Sequence, residues 1–515
     1  MNLRMSRIVG LATMVAVAWL VPSMAQAATP RAGGSCTAKQ VGTSAKSGST
    51  TLECRKSGKA GRWVRVTAAP TTAAPTTEAP TTAPPTTAAA AAAAPATGES
   101  GRGVSDTTIK IGFIDAAFKT PAGFLPSSTG NTAAQVNAMV DAINAAGGIA
   151  GRKVVPVIRQ LDLAGSNRDQ AEALCAAFAD DDKVFAVSSQ SVIVAAASKE
   201  CFARKKTLYI EGAGSFPFDT DTLKRMAPYA YVSNLPAIDR VVPSYVKTLV
   251  DEKYFGADPK TAKVGIVSMD DPVYKTAGAK LVAELDKIGV KPIEVTYFDT
   301  TSQATVSRDS TAASTRFAAK GVTHVISLAS AGNTMQFMWT GEDNAYYPRM
   351  AFTSFDALRI VADGPSFRLR KVAKRSLEGS IAIGVNTVVD TDDTQNIFPS
   401  AGPEKRCIDI YTNSKLITGF ESRYLSRYAQ SYCDNLFFMK TVGDRIKGPL
   451  TVESFAAEAA KLGSKGFDAG VGWLTTFGPG RFDGGDGFRA MRFDSTCSRP
   501  TDGCFVYTSG VQKLA

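Results

Sequence analysis

The sequence predicts an α/β protein of two Rossmann-like lobes with parallel sheets joined by a hinge, preceded by a small two-cysteine module and a disordered linker. Three observations carry that prediction. From about residue 105, strand-like and helix-like runs alternate in two successive series, the signature of βαβ units. The chain has 515 residues, too many for one compact core. Composition also changes sharply at residue 67, where a segment of Ala, Pro and Thr with almost nothing to bury begins.

The first residues read as an export signal over 1–27. Arg4 and Arg7 precede an apolar run over 8–21, and Ala25-Gln26-Ala27 fits an A-x-A cleavage site. The run is too short to span a bilayer comfortably, which argues against a membrane anchor. No cysteine follows the cleavage site, so lipid attachment there is not expected. The expected product is exported: extracellular, periplasmic or associated with the cell wall.

Residues 31–66 form a basic, Gly/Ser/Lys-rich unit with Cys36, Cys54 and the end Trp63-Val64-Arg65-Val66. It is too short to build a core unaided and resembles the small two-cysteine modules near the start of actinobacterial exported proteins. The net charge of +11 is concentrated here: residues 1–30 hold +2, residues 31–66 hold +7 and residues 67–100 hold −2, which leaves +4 for residues 101–515. The body is thus near neutral for its size, which argues against a nucleic-acid partner. A basic module outside the cell suits contact with anionic wall polymers or lipid head groups; a solvated spacer is the other reading. Residues 67–104, with Pro75-Thr76-Thr77 and Pro84-Pro85-Thr86-Thr87, read as an extended stalk.

In the body, a strand is expected over 109–114 and a helix over 131–146, with Val136, Met139, Val140 and Ile143 on one face. Gly147-Gly148 stops that helix. Strands over 154–158, 184–187 and 207–210 follow, with helices over 167–180 and 192–204 between them. A helical stretch over 236–253 separates this series from the next. The second series has strands over 264–268, 293–298, 324–328 and 350–353, with a helix over 274–288. The expected division is lobe 1 over 105–232 and 376–478, and lobe 2 over 233–375 and 479–510. Ligands of open α/β sheets sit at the carboxyl ends of the strands, so the cleft between the lobes is the expected functional site.

Three runs, in this order and spacing, resemble the type I periplasmic binding proteins, in particular the leucine/isoleucine/valine-binding-like substrate-binding proteins of ABC transporters. They are Ile109-Lys110-Ile111-Gly112-Phe113, the stretch from Asp141 through Asn144 and Gly147-Gly148-Ile149 to Gly151-Arg152-Lys153, and the tail from Gly478 through Phe482 to Asp486-Gly487. The resemblance covers residues 105–510. It implies capture of an amino acid or related polar solute by hinged closure and delivery to a membrane permease. A wall-associated sensor or scavenger of the same fold, with no transporter, is the alternative.

The same resemblance places the ligand among the loops after the strands. On the first lobe these are Ser189, Gln190 and Ser191, then Gly214 and Ser215. Free N–H groups and hydroxyls at a helix start suit a ligand carboxylate, and ordinary N-capping is their other role. Glu211, in the same loop, departs from the family and is less welcoming to an anion. On the second lobe, Tyr274 is either a lid over the ligand or a packed helix-start residue. Ser330, Ala331, Phe355 and Asp356 are further cleft residues. Asp356 either holds a ligand ammonium or caps a helix. The long loop over 115–128, with Phe118, Pro121, Phe124 and Pro126, also departs from the family.

The residues argue against catalysis. His324 is the only histidine and sits in an apolar strand, so a Ser-His-Asp triad is hard to build. There is no G-x-S-x-G elbow and no phosphate-binding P-loop. No C-x-x-C spacing exists, and neither Asp483 with Asp486 nor Asp390 with Asp392 and Asp393 has a metal-site pattern. They read as a turn and a solvated loop. No cofactor or metal is expected. The eight cysteines of an exported chain favour bridges, and pairing neighbours gives Cys36–Cys54, Cys175–Cys201, Cys407–Cys433 and Cys497–Cys504.

Overall fold

The computed structural model describes residues 35–36, 43–47, 50–57, 60–65, 101–117, 131–162, 167–190, 196–212, 216–363, 369–391, 397–416, 423–498 and 502–515. The chain forms two compact units, within 1–89 and 90–515. The signal segment, nearly all of the linker and the side chain of Cys36 lie outside the described residues, and with them the Cys36–Cys54 pairing.

The first unit is a four-stranded antiparallel sheet. Its strands are β1 (Ser35–Cys36), β2 (Ser44–Ser47), β3 (Thr50–Ser57) and β4 (Ala60–Arg65), in the order β1-β4-β3-β2. Leu52 and Cys54 alternate along β3 and are buried, as a strand with one covered face requires.

The second unit holds two sheets. The first is parallel, in the order β6-β5-β7-β8-β9, from β5 (Thr108–Ala117), β6 (Lys153–Asp162), β7 (Ala186–Ser189), β8 (Leu208–Glu211) and β9 (Ala230–Val232). Both faces of such a sheet are covered, so β7 and β8 are buried throughout. The helix Thr132–Ala145 presents Val136, Met139, Val140 and Ile143 to this sheet, and Asn131 caps it by accepting from Ala134 N at 3.1 Å. Gly148 ends that turn with φ of +72°, and a Cβ there would lie 2.0 Å from the Arg152 carbonyl oxygen.

The second sheet runs β11-β10-β12-β13-β14-β15-β16. Its parallel part is β10 (Val264–Met269), β11 (Glu294–Phe298), β12 (His324–Leu328), β13 (Arg349–Thr353) and β14 (Ile381–Gly384). The antiparallel hairpin β15 (Gly487–Ser498) and β16 (Asp502–Tyr507) closes one side, and β17 (Gln512–Lys513) pairs with β15.

Two expected boundaries move. The strand β14 belongs to the second sheet, so the return to the first lobe comes after it and not near residue 376. Its segment is only four residues long, and the helices before it, Leu358–Ala362 and Lys374–Leu377, are too short to announce a βαβ unit. Residues 101–104, read as the end of the linker, are already docked: Gly101 N donates to Leu450 O at 2.9 Å, and Val104 packs on the first-lobe core. Helices Gly402–Asn413, Arg427–Gly443 and Val452–Ala459 then cover the first lobe, sharing one apolar cluster with the helix Thr132–Ala145. The bridges Cys175–Cys201, Cys407–Cys433 and Cys497–Cys504 are formed, with S–S distances of 2.07, 2.02 and 1.93 Å.

Among the described residues the chain crosses between lobes three times, after β9, after β14 and before β15. The first and third crossings run side by side: Val232 N donates to Phe482 O and Gly484 N to Val232 O, both at 2.8 Å. Arg240 ties them further, reaching Asp483 and, at 3.0 Å, Asp486. Arg481 adds a second guanidinium to Asp486 at 3.0 Å, and Asp483 also accepts from Ala237 N at 2.9 Å. The tail aspartates are therefore the anions of a hinge ion-pair cluster. Among the described residues no group of His, Cys, Asp and Glu is arranged to hold a metal.

Candidate functional site

The carboxyl ends of β7, β8 and β9 face those of the second sheet across a cleft. A small cavity lies there, walled by Glu211, Phe218 and Val232 from the first lobe, Leu235 and Pro236 from the first crossing, and Phe355 from the second lobe. Its free volume is about 10 Å³, roughly what one water molecule needs.

The first-lobe wall is built around a buried ion pair. Lys199, on the helix Ala196–Arg204, points at the end of β8, where its Nζ lies 3.1 and 3.0 Å from the two carboxylate oxygens of Glu211. Both side chains are almost fully buried, at 1 % and 2 % exposure. Lys199 also donates to Phe216 O at 2.7 Å and lies 4.3 Å from the centre of the Phe218 ring. Tyr209 donates to Glu211 at 3.0 Å. Burial, and then the charge of Glu211, push the Tyr209 hydroxyl well above its usual range, so it stays protonated and remains a donor.

Asn435, on the helix Arg427–Gly443, clamps the strand ends that carry this wall. Its amide donates to Ser188 Oγ at 2.9 Å, Ser189 O at 3.0 Å and Ile210 O at 3.2 Å, and its oxygen accepts from Ser233 Oγ at 2.7 Å. One side chain thus registers β7, β8 and the residue after β9. The helix comes this close because residue 212 is Gly: a Cβ there would lie 2.6 Å from the Ser431 Cβ. Neighbouring Asp434 accepts from Asn234 at 2.8 Å, Gly470 N at 2.6 Å and Val471 N at 2.9 Å, joining two crossings. Burial raises its carboxyl to about 6.

Of the expected ligand residues that are described, Phe355 lines the cavity. Ser189 and Gln190 are buried at the end of β7, with Gln190 beside the Tyr432 hydroxyl. Ser191, Gly214 and Ser215 lie outside the described residues. Tyr274 is buried in the first turn of the helix Pro272–Lys287. Its hydroxyl is held above the usual range by burial and then by Asp356 and Asp271. Ser330 precedes the helix Ala331–Asp343 and donates to Asn333, and Ala331 opens that helix.

Asp356 has the capping role. It is fully buried and accepts from Ser327 at 2.6 Å, Thr334 at 2.7 Å, Thr353 N at 2.8 Å and the Thr353 hydroxyl at 3.1 Å. Burial raises its carboxyl to about 6 against those bonds. Asp390, read as part of a solvated loop, is instead fully buried beside Asn386 and Tyr507, and burial raises it to about 7. His324 is half-buried, bonded to Thr323 at 2.8 Å and edge-on to Tyr254 at 5.1 Å, and burial lowers its basicity.

A family model for periplasmic binding proteins matches residues 108–363. No curated protein sequence matches the chain. Solved structures share the fold. An ABC transporter solute-binding protein from R. palustris in complex with 4-hydroxybenzoate aligns at 14 % identity and TM-score 0.57, over 79 % of this chain and 97 % of that one. A branched-chain amino acid ABC transporter protein from Thermus thermophilus with bound valine aligns at 15 % and 0.55, over 79 % and 98 %. A fatty acid ABC transporter substrate-binding protein from Thermomonospora curvata aligns at 17 % and 0.54, over 81 % and 95 %. Two facing parallel-sheet lobes, three crossings and a cavity at the strand ends, together with the matched family model, lead to one assignment. Residues 108–363 belong to the periplasmic binding protein family, whose members bind solutes and are not enzymes, and the second unit as a whole has the fold of the ABC transporter solute-binding proteins.

Proposed function

We propose that the chain captures a small organic solute, an amino acid or a related polar molecule, between its lobes outside the cytoplasm and delivers it to an ABC permease. The observation that supports this best is the cavity walled from both lobes at the carboxyl ends of the strands, beside the first crossing. Closure brings the second-lobe Phe355 over a solute bound to the first lobe, so the closed form is stabilised by contacts made only then. The solved neighbours are a fatty acid transporter protein, a complex with 4-hydroxybenzoate and a protein with bound valine, so the wall chemistry of this chain must choose its own ligand.

The test is native mass spectrometry of the purified protein before and after unfolding and refolding, followed by titration with amino acids, amides and small acids. A retained small mass, lost on unfolding, supports the reading and identifies the solute. No retained mass and no binding across the panel would sink it. Co-purification with a permease tests delivery separately.

A further inference from the structure

We propose that the first-lobe wall of the cleft excludes a ligand carboxylate and takes the hydrogen-bond-donating end of its solute, an ammonium, amide or hydroxyl, against Glu211. This deepens the solute-capture reading and rests on it. It also reverses the polarity that the family resemblance implies, in which the first lobe holds the carboxylate and Asp356 the ammonium.

The argument starts from Lys199. Among the described residues it is the buried cation of this wall, and its ammonium is committed: to both oxygens of Glu211 at 3.1 and 3.0 Å, to Phe216 O at 2.7 Å and to the Phe218 ring at 4.3 Å. An ammonium has three protons to donate, and these partners use them. The pair is neutral as a unit, and Glu211 is the member that lines the cavity. A ligand carboxylate entering beside Glu211 would place two anions in a nearly dry site with one cation already shared. A donor group meets a charged acceptor instead, the stronger kind of hydrogen bond. The second lobe does not restore the expected polarity. Asp356 is fully buried and accepts four bonds from its own chain. The other walls, Phe218, Val232, Leu235 and Phe355, are apolar. They suit an apolar body behind the donor group.

The test uses matched probes that differ only at one end: 4-methylbenzamide against 4-methylbenzoate, and isovaleramide against isovalerate. They are titrated calorimetrically into the refolded full chain, into Glu211→Gln, and into the double variant Lys199→Met with Glu211→Gln. The double variant removes both charges and so avoids leaving Lys199 buried alone. We expect the wild type to bind the amides about tenfold or more tighter than the acids. Glu211→Gln should improve the acids by about tenfold, because Lys199 is released to meet them. The double variant should bind both ends within about threefold. Acids binding the wild type as tightly as amides would overturn the inference and leave solute capture standing. An amide preference unchanged in the double variant would overturn it as well. No binding by any probe, with no retained mass in the native spectrum, would defeat solute capture itself and the inference with it.

Discussion

Replacing Asp356 with Asn separates a structural cap from a ligand-holding acid. One oxygen of Asp356 accepts from the hydroxyls of Ser327 and Thr334, and the other from the amide and hydroxyl of Thr353. Hydroxyls both donate and accept, so Ser327 and Thr334 can turn to receive the Asn amide while its oxygen keeps the Thr353 bonds. The variant therefore keeps the shape and loses the charge. Burial raises the folded carboxyl from 3.8 to about 6. A group raised on folding stabilises fully below its unfolded value, and that stability is lost as pH rises through the folded value. At about pH 5 the proton favours the folded state about tenfold, or about 1.4 kcal/mol; at about pH 7.5 the contribution is close to zero. Urea midpoints at these two pH values should show the wild type gaining about 1.4 kcal/mol more on acidification than Asp356→Asn. Solute affinity at neutral pH should stay within about twofold, whereas removing a charged partner of a ligand ammonium costs about tenfold or more. An equal pH response in the two proteins would refute the burial argument, and a large loss of affinity would refute the capping role.

Other perturbations probe the scaffold. Asn435→Ala strands two buried hydroxyls and two carbonyls at the ends of β7, β8 and β9, so a loss of about 3 kcal/mol is expected in thermal melts; a change under about 0.5 kcal/mol would show that the clamp is dispensable. Arg240→Met removes the main cation from Asp483 while Arg481 still serves Asp486. The expected cost is about 3 kcal/mol in urea unfolding, the effect of leaving a buried charge without its partner. Cys175–Cys201 and Cys407–Cys433 each span 26 residues and Cys497–Cys504 spans 7. Paired Cys→Ser variants should cost about 3.5 kcal/mol for either long loop and about 2.4 for the short one, by loop entropy. Equal midpoints for all three would contradict that ordering.

Most strands were legible because buried parallel strands are short apolar runs closed by glycine or polar residues. The run Val264–Met269 is an example, and His324–Leu328 emerges with its expected bounds. Ile381–Gly384 falls beyond the expected end of the second lobe because pairing partners, not local pattern, decide which sheet a four-residue run joins. The site was less legible. Lys199 sits in a polar helix whose sequence reads as a solvated face, and only the end of β8 shows that its ammonium is buried. Glu211 did stand out as a departure, but its neutralising partner did not. Asn435 lies 225 or more positions from the Ile210 and Ser188 groups that it clamps, so no local signal announces it. Asp356 was visible as a candidate with two roles, and the choice between them needed the hydroxyls of Ser327 and Thr334, which lie on two other elements.

The paired first and third crossings bear on what the open protein is free to do. Val232 and the segment from Phe482 to Gly484 form a hydrogen-bonded strip, not two separate tethers. A strip bends readily about an axis lying across both of its strands, whereas splaying or shearing it would break bonds held away from water. The lobes should thus swing about one direction and not tumble. Much of the orientational entropy that two loosely tethered lobes would lose on closing is then already absent before the solute arrives. A shallow, mostly apolar cavity with a single polar end can in consequence hold its ligand with few contacts, because closure has little disorder left to remove.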